Sequence, residues 1–178
     1  MERIIYLKGD RISLVIPEKQ DVNIMYLGIN NFEISKNLGE LNRFYFENEE
    51  KFYDSLVLEQ KHFFVIMKND TKEIIGGIGF NDFNKLSRNA EVGICIYLEN
   101  ELGKGYGTDA MKLFLKYTFE IVGCNKLKLG VFDFNKRGVS SYLKCGFKEV
   151  GILKQEAFIA GAYRDSILME IMKDEYLQ

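Results

Sequence analysis

The chain is 178 residues long, enough for one domain with a real core. Hydrophobic residues make up 47% and charged residues 28%, and a single proline argues against a Pro-rich linker or a disordered tail. A formal charge of −2 and a pI near 5.6 speak against a nucleic-acid binder that works by neutralising phosphates.

The most apolar run, Phe63-Phe64-Val65-Ile66-Met67, is strand-sized and far short of the ~20 residues that span a bilayer. The start, Met1 to Lys8, lacks the apolar region of a signal peptide, so no membrane partner is expected. Cys95, Cys124 and Cys145 are widely spaced and form no Cys-x-x-Cys pair; they read as reduced cysteines of a cytoplasmic protein. With His62 as the one histidine, a His-rich metal site or a Ser-His or Cys-His dyad is not expected.

In chain order, Ile12 to Ile16 alternates weakly and predicts a strand ended by Pro17, which suits the first turn of a helix through Val22, Met25, Tyr26 and Ile29. Residues 46–59 predict a second helix with Phe46, Phe52, Leu56 and Val57 on one side and an acid-rich first turn. Strand-like segments follow near 62–68, 73–81 and 89–98, the first two joined by the polar turn Lys68 to Lys72 and the last two by Asn84 to Arg88. Tyr106, Ala110, Leu113, Phe114, Tyr117 and Ile121 then recur at helical spacing as far as Val122, and Gly123 closes that helix. Lys126 to Phe132 predicts a strand, 136–145 a short helix, and 148–159 and 163–173 two late strands. This order implies a mixed α/β sheet with an antiparallel front and one β-α-β crossover around 92–132.

Between the crossover's first strand and its helix lies Leu102-Gly103-Lys104-Gly105-Tyr106-Gly107-Thr108. Glycines at alternate positions where a strand turns into a helix expose backbone N–H groups at the positive helix end, suited to a phosphate or pyrophosphate. A dinucleotide fingerprint would need glycine at position 108, and the phosphate loop of nucleotide hydrolases needs Gly-Lys-Ser/Thr after a four-residue gap; neither is present. A protein kinase lacks its catalytic-loop signature here as well. The plain alternative is a turn whose glycines merely let the backbone bend.

Glu91 to Ala110, followed by Asn135-Lys136-Arg137-Gly138-Val139-Ser140-Ser141-Tyr142-Leu143-Lys144-Cys145-Gly146-Phe147, resembles the GNAT superfamily of acetyl-CoA-dependent N-acetyltransferases. Within it the chain looks most like the branch that acetylates ribosomal-protein N-termini, with polyamine acetyltransferases as near relatives. The resemblance implies one domain over 1–178 and an α/β fold with a mixed, mostly antiparallel sheet of about six or seven strands around a β-α-β coenzyme-binding core. It implies acetyl-CoA as co-substrate, no metal, and a primary amine as acceptor: a peptide or protein N-terminus, a polyamine or a small metabolite. Dimers are common in the family, which leaves a homodimer open.

Carried onto this sequence, the resemblance puts the pantetheine arm against the backbone of Ile94, Cys95 and Ile96, beside a bulge suggested by Gly93. The pyrophosphate falls on Leu102, Gly103, Lys104, Gly105, Tyr106, Gly107 and Thr108, and Asn135 touches the coenzyme or caps the next helix. The family pattern begins this loop with Gln or Arg where Leu102 stands, which implies weaker coenzyme affinity at most.

Tyr142 is the expected acid for the leaving thiolate, and Glu91 the expected base, acting through water, since a carboxylate of ~4.3 is poorly matched to an ammonium near ~10. The plain alternatives are a core tyrosine and a glutamate on a solvent face. Asp165 is a weaker candidate for substrate contact; Glu47, Glu49 and Glu50 either attract a cationic amine or complement a helix N-terminus. Phe44-Tyr45-Phe46 either lines the acceptor site or anchors its loop. A competing function is a coenzyme-A-binding sensor of the same fold without turnover, for which Leu102 argues and the Glu91–Tyr142 pair argues against.

Overall fold

The computed structural model describes residues 3–39 and 42–176; the extreme ends of the expected domain, 1–2 and 177–178, lie outside the described residues. Along the chain run β1 (Ile5–Lys8), β2 (Ile12–Val15), α1 (Val22–Ile29), α2 (Phe32–Ser35), α3 (Phe46–Leu58), β3 (Phe63–Lys68), β4 (Ile74–Asn84), β5 (Asn89–Ile96) and α4 (Tyr106–Lys116). Then come β6 (Lys126–Phe132), α5 (Lys136–Lys144), β7 (Lys148–Ile159), β8 (Ala162–Met172) and α6 (Lys173–Tyr176). The strands form one sheet in the order β1-β2-β3-β4-β5-β6-β8-β7. All neighbours are antiparallel except β5 and β6, which the helix α4 connects in parallel, the crossover that the change of hydrophobic period predicts.

The sheet has eight strands among the described residues, one more than the upper expectation. The addition is β1, which pairs with β2 through an irregular register. Its Ile5 and Tyr6 stand 42% and 45% exposed, so the strand carries no alternating burial that a sequence pattern could reveal.

Pro17 also departs from expectation. It lies in extended chain outside the helix, which begins with a 3₁₀ turn over Lys19–Asp21 capped by Glu18. Buried Asp21 sets that start: its carboxylate accepts the Glu18 backbone N–H at 2.8 Å and both guanidinium nitrogens of Arg3 at 2.5 and 2.6 Å. A paired, hydrogen-bonded carboxylate is the form in which a buried charge is tolerated.

Both faces of the sheet are covered. On one, Ala110, Met111, Phe114 and Leu115 of α4 pack on Ile12, Leu14, Phe64, Ile66, Ile75, Ile78, Val92 and Leu127. On the other, Met25 of α1 packs with Val15, Val65, Met67, Ile74 and Tyr97. The long predicted helix changes character at its end: after Lys116 it widens into a π-helix over Tyr117–Val122 before Gly123 stops it at φ +73°. The wider turn lets Tyr117, Thr118 and Phe119 all be buried in succession. Arg88 donates to the last carbonyls, of Val122 at 2.7 Å and Gly123 at 2.8 Å.

Tyr117 joins an aromatic cluster with Tyr6, Phe64, Phe80 and Phe114, and its hydroxyl meets His62 Nδ1 at 2.5 Å. Burial, and secondarily the Lys85 charge, hold the His62 imidazole below its ordinary value. The folded state therefore prefers neutral His62. Stability that depends on it is complete above the ordinary ~6.5 and is lost as the pH falls below that value. The expected outcome is that the drop in urea midpoint between about pH 7.5 and about pH 5.5 is smaller in His62→Gln than in the parent. An equal drop in both would remove His62 from the acid response.

Candidate active site

The parallel pair β5–β6 holds for three residues only, Asn89, Ala90 and Glu91 opposite Lys126, Leu127 and Lys128. Beyond that the strands part. β5 stays paired with β4 through Ile96, and β6 stays paired with β8 through Phe132, so each strand keeps one partner and loses the other. The parting opens a cleft of about 480 Å³ lined on the sheet side by Glu91 to Ile96 and by Gly130, Val131 and Phe132. Its exposed strand edges can pair with an extended ligand carrying amides.

The expected bulge is present, but on the neighbouring strand. The β4–β5 register slips between Phe80 and Asp82, which makes Asn81 the extra residue. A Cβ at Gly93 would lie 2.4 Å from Asn81 Oδ1. Gly93 thus makes room for the Asn81 amide, and both line the cleft.

At the other end of the cleft stands the glycine loop. Gly103 and Gly105 take φ of +79° and +89°, and Gly105 is the N-cap of α4. The first helical N–H bond runs from Asp109 to the Gly105 carbonyl at 3.1 Å. The six backbone N–H groups from Gly103 to Thr108, by contrast, find no partner among the described residues. Unpaired donors at the positive end of an 11-residue helix, opening on a cleft, can hold a phosphate or pyrophosphate.

Helix α5 supplies the third wall. Asn135 caps it, its side-chain oxygen accepting the Gly138 N–H at 2.9 Å, and it also lines the cleft. Tyr142 lines the cleft about two turns further on, with its ring against Phe147. Burial pushes its phenol up to about 12, with smaller contributions from Cys95 and Cys145. Its hydroxyl makes no hydrogen bond among the described residues. Ser141, beside it, meets the Thr108 hydroxyl at 2.8 Å and so ties α5 to the end of the glycine loop.

Glu91 lines the cleft at the point of parting, half-exposed, 3.5 Å from Lys128 Nζ on β6. It shares a face of β5 with Gly93 and Cys95. Burial, then the Glu49 charge, pushes the Cys95 thiol up to about 12, and burial pushes Cys145 to about 11. Both are thiols at neutral pH, not nucleophiles.

Of the expected loop residues, Lys104 alone is missing from the cleft lining; its ammonium pairs with Glu101 at 3.0 Å. Asp165 is outside the cleft and spends its oxygens on Lys154 at 2.7 Å and the Gln155 N–H at 2.9 Å, shaping the irregular β7–β8 pairing. Phe44, Tyr45 and Phe46 are likewise outside it, and Phe46 packs edge-on to Tyr26.

Glu50 pairs with Lys19 at 3.5 Å. Glu49 is different: it is 8% exposed, without an ion pair among the described residues, and burial raises its carboxyl above the ordinary range. Sequence reasoning missed Asn81, Ser141 and Arg11, whose placement depends on strand register and on contacts between distant segments.

Residues 13–148 match the acetyltransferase (GNAT) domain family. The chain belongs to this family. Spermidine N(1)-acetyltransferase of Vibrio cholerae is 32% identical over 132 residues, which cover 74% of this chain and 76% of that protein. The Escherichia coli K12 protein of the same name is 31% identical over 160 residues, covering 90% of this chain and 85% of its own. The crystal structure of the Vibrio cholerae enzyme in complex with CoA and spermine superposes with a TM-score of 0.88 at 29% identity, covering 96% of this chain and all of that one. The acetyltransferase is thus an enzyme that uses acetyl-CoA as co-substrate, on the mixed α/β sheet of its family. Among the described residues no group of side chains has the make-up of a metal site, and no helix is long and apolar enough to cross a membrane.

The geometry separates the glycines of the loop. At Gly105 the backbone is left-handed and an added Cβ meets Arg11 Nη2 at 2.9 Å, whereas at Gly107 the nearest atoms are 3.9 Å away. Gly105→Asp is expected to abolish measurable CoA binding by calorimetry, while Gly107→Ala loses far less. Retained binding in Gly105→Asp would make the loop a structural turn.

Proposed function

We propose that this acetyltransferase transfers the acetyl group of acetyl-CoA to a primary amine of a polyamine. The observation that carries the reading is the parting of β5 and β6, which leads from the unpaired N–H groups of the glycine loop to Tyr142 and Glu91. In this reading the pyrophosphate lies on the N–H groups of Gly103 to Thr108, Leu102 packs beside it, and the pantetheine amides pair with the free edge of β5 at Ile94, Cys95 and Ile96. Asn135 borders the same channel.

The amine attacks the thioester carbon directly. An acyl-cysteine route through Cys95 is disfavoured, because a thiol held near 12 offers almost no thiolate at neutral pH. As the carbon–sulfur bond breaks, Tyr142 donates its proton to the sulfur. A free coenzyme thiol near ~8.5 would be a poor acceptor from a phenol at about 12. The sulfur leaves inside the same desolvated cleft, however, and desolvation raises the proton affinity of any thiolate. Tyr142 therefore works first as a hydrogen-bond donor to developing charge and completes the transfer as the thiol forms. Glu91, which lines the cleft with its carboxylate 3.5 Å from Lys128 Nζ, takes the amine's proton through water.

The polyamine assignment draws on the named activity of the Vibrio cholerae and Escherichia coli relatives. Thiol release measured with spermidine, spermine, simple monoamines and a free peptide N-terminus is expected to give polyamines the highest kcat/KM, by ~10-fold or more over monoamines. A peptide N-terminus as the best acceptor would overturn the assignment. Tyr142→Phe is expected to lower kcat by ~10²-fold or more with CoA affinity nearly intact. In the parent enzyme no loss of activity assignable to the acid is expected up to about pH 10, because burial holds the phenol protonated there. An unchanged rate in the Phe variant would return Tyr142 to packing.

A further inference from the structure

The glycine loop has no free cation of its own. Leu102 is apolar, and the Lys104 ammonium is held by Glu101 at 3.0 Å. Glu101 is buried, takes Lys68 as a second cation at 3.4 Å, and its carboxyl lies below its ordinary value chiefly through the Lys104 hydrogen bond. The cation that reaches the loop comes from elsewhere in the chain.

Arg11, the residue before β2, extends its guanidinium to Gly105, where an added Cβ would lie 2.9 Å from Nη2. Nη1 donates to the Lys104 carbonyl at 3.0 Å, while Nε and Nη2 both reach one oxygen of the Asp109 carboxylate, Oδ2, at 2.7 and 2.6 Å. The group also lies 5.1 Å from the centroid of the Tyr106 ring. One planar fork therefore grips the loop before its N-cap, the first turn of α4 and the ring between them.

The base of this arm is fixed too. The Asn69 N–H donates to the Arg11 carbonyl at 2.9 Å, and the Asn69 side chain donates to the carbonyls of Gly9 at 2.7 Å and Asp10 at 3.0 Å. Half-exposed ion pairs of this kind contribute little to global stability, so a large contribution to folding does not account for it. What the contacts do constrain is the Lys104 peptide. Its carbonyl is turned towards Arg11, which does not line the cleft, and in a trans peptide this points the Gly105 N–H the opposite way.

We propose that Arg11 is a positioning residue for coenzyme binding: through the Lys104 carbonyl and Asp109 it pre-orders the glycine loop so that its backbone donors meet the pyrophosphate without rearrangement. The inference rests on the placement of the pyrophosphate at this loop. It also accounts for how a loop that begins with Leu102 keeps its shape, since the order is imposed from β2 and not by a side chain of the loop. Pre-ordering lowers the cost of binding without adding a contact to the ligand.

The test compares Arg11→Ala, Arg11→Lys, Asp109→Asn and the Arg11→Ala/Asp109→Asn double variant. CoA affinity is measured by calorimetry, which needs no acceptor. Thiol release with spermidine is measured from acetyl-CoA and from S-acetyl-pantetheine, which lacks the pyrophosphate. Arg11→Ala is expected to weaken CoA binding by ~10-fold or more and to raise KM for acetyl-CoA with kcat little changed. Arg11→Lys is expected to recover only part of this, since an ammonium cannot present two nitrogens to Asp109. The double variant is expected to lose less than the two single losses combined.

With S-acetyl-pantetheine, Arg11→Ala is expected to match the parent within about twofold. Unchanged CoA affinity in Arg11→Ala overturns the proposal, as does an equal loss with both thioesters, which would make Arg11 a general structural residue. Gly105→Asp in the same series separates the two levels. If it keeps CoA affinity, the loop is not the pyrophosphate site; if it loses affinity while Arg11→Ala does not, only the role of Arg11 falls.

Discussion

Strands β5 and β6 share three parallel rungs and then diverge, each held by its other neighbour. A sheet that separates in its middle ordinarily leaves buried backbone donors and acceptors without partners, a costly arrangement. Here the separation is sustained because both strands are locked from outside, β5 by eight rungs to β4 and β6 by seven to β8. The unsatisfied edges face a cleft, where an extended ligand can complete them. Coenzyme use, the position of Tyr142 and the exposure of Glu91 all derive from that one geometric fact.

The second constraint is electrostatic. Helix α4 directs its positive end at the cleft, and the residues around that end are ion-paired: Arg11 with Asp109, Lys104 with Glu101, and Lys68 with Glu101 and Glu73. Arg137 and Lys144 also line the cleft, while the loop itself offers backbone N–H groups and a helix dipole that suit an anion. Backbone donors are fixed in direction by φ and ψ, and the left-handed Gly103 and Gly105 set that direction. The side chains behind the loop hold it; they do not replace it.

Much of the fold was legible in local pattern. The switch from period 2 to period 3.6 near Gly105 marked the crossover helix, and Gly123 marked its end, both as found. The polar turns at Lys68–Lys72 and Asn84–Arg88 fell between strands as expected. The failures have definite causes. β1 has no buried face to imprint a period, Pro17 yielded to the buried Asp21 that sets the helix start, and the bulge lies at Asn81 on β4, not at Gly93, because a glycine accommodates a neighbouring strand's side chain as readily as its own irregularity.

The sequence by itself determined seven of the eight strands among the described residues, the glycine turn and the short helix that carries Tyr142, because each is encoded within a dozen neighbouring residues. Tertiary structure alone decided where β5 and β6 part, which of three neighbouring glutamates is buried without an ion pair, and which cation stands behind the loop. Arg11 lies 98 residues from Asp109 in the chain, and nothing in either local stretch announces the other. Such pairings are set by strand register and helix packing, which are properties of the assembled sheet and have no period to read.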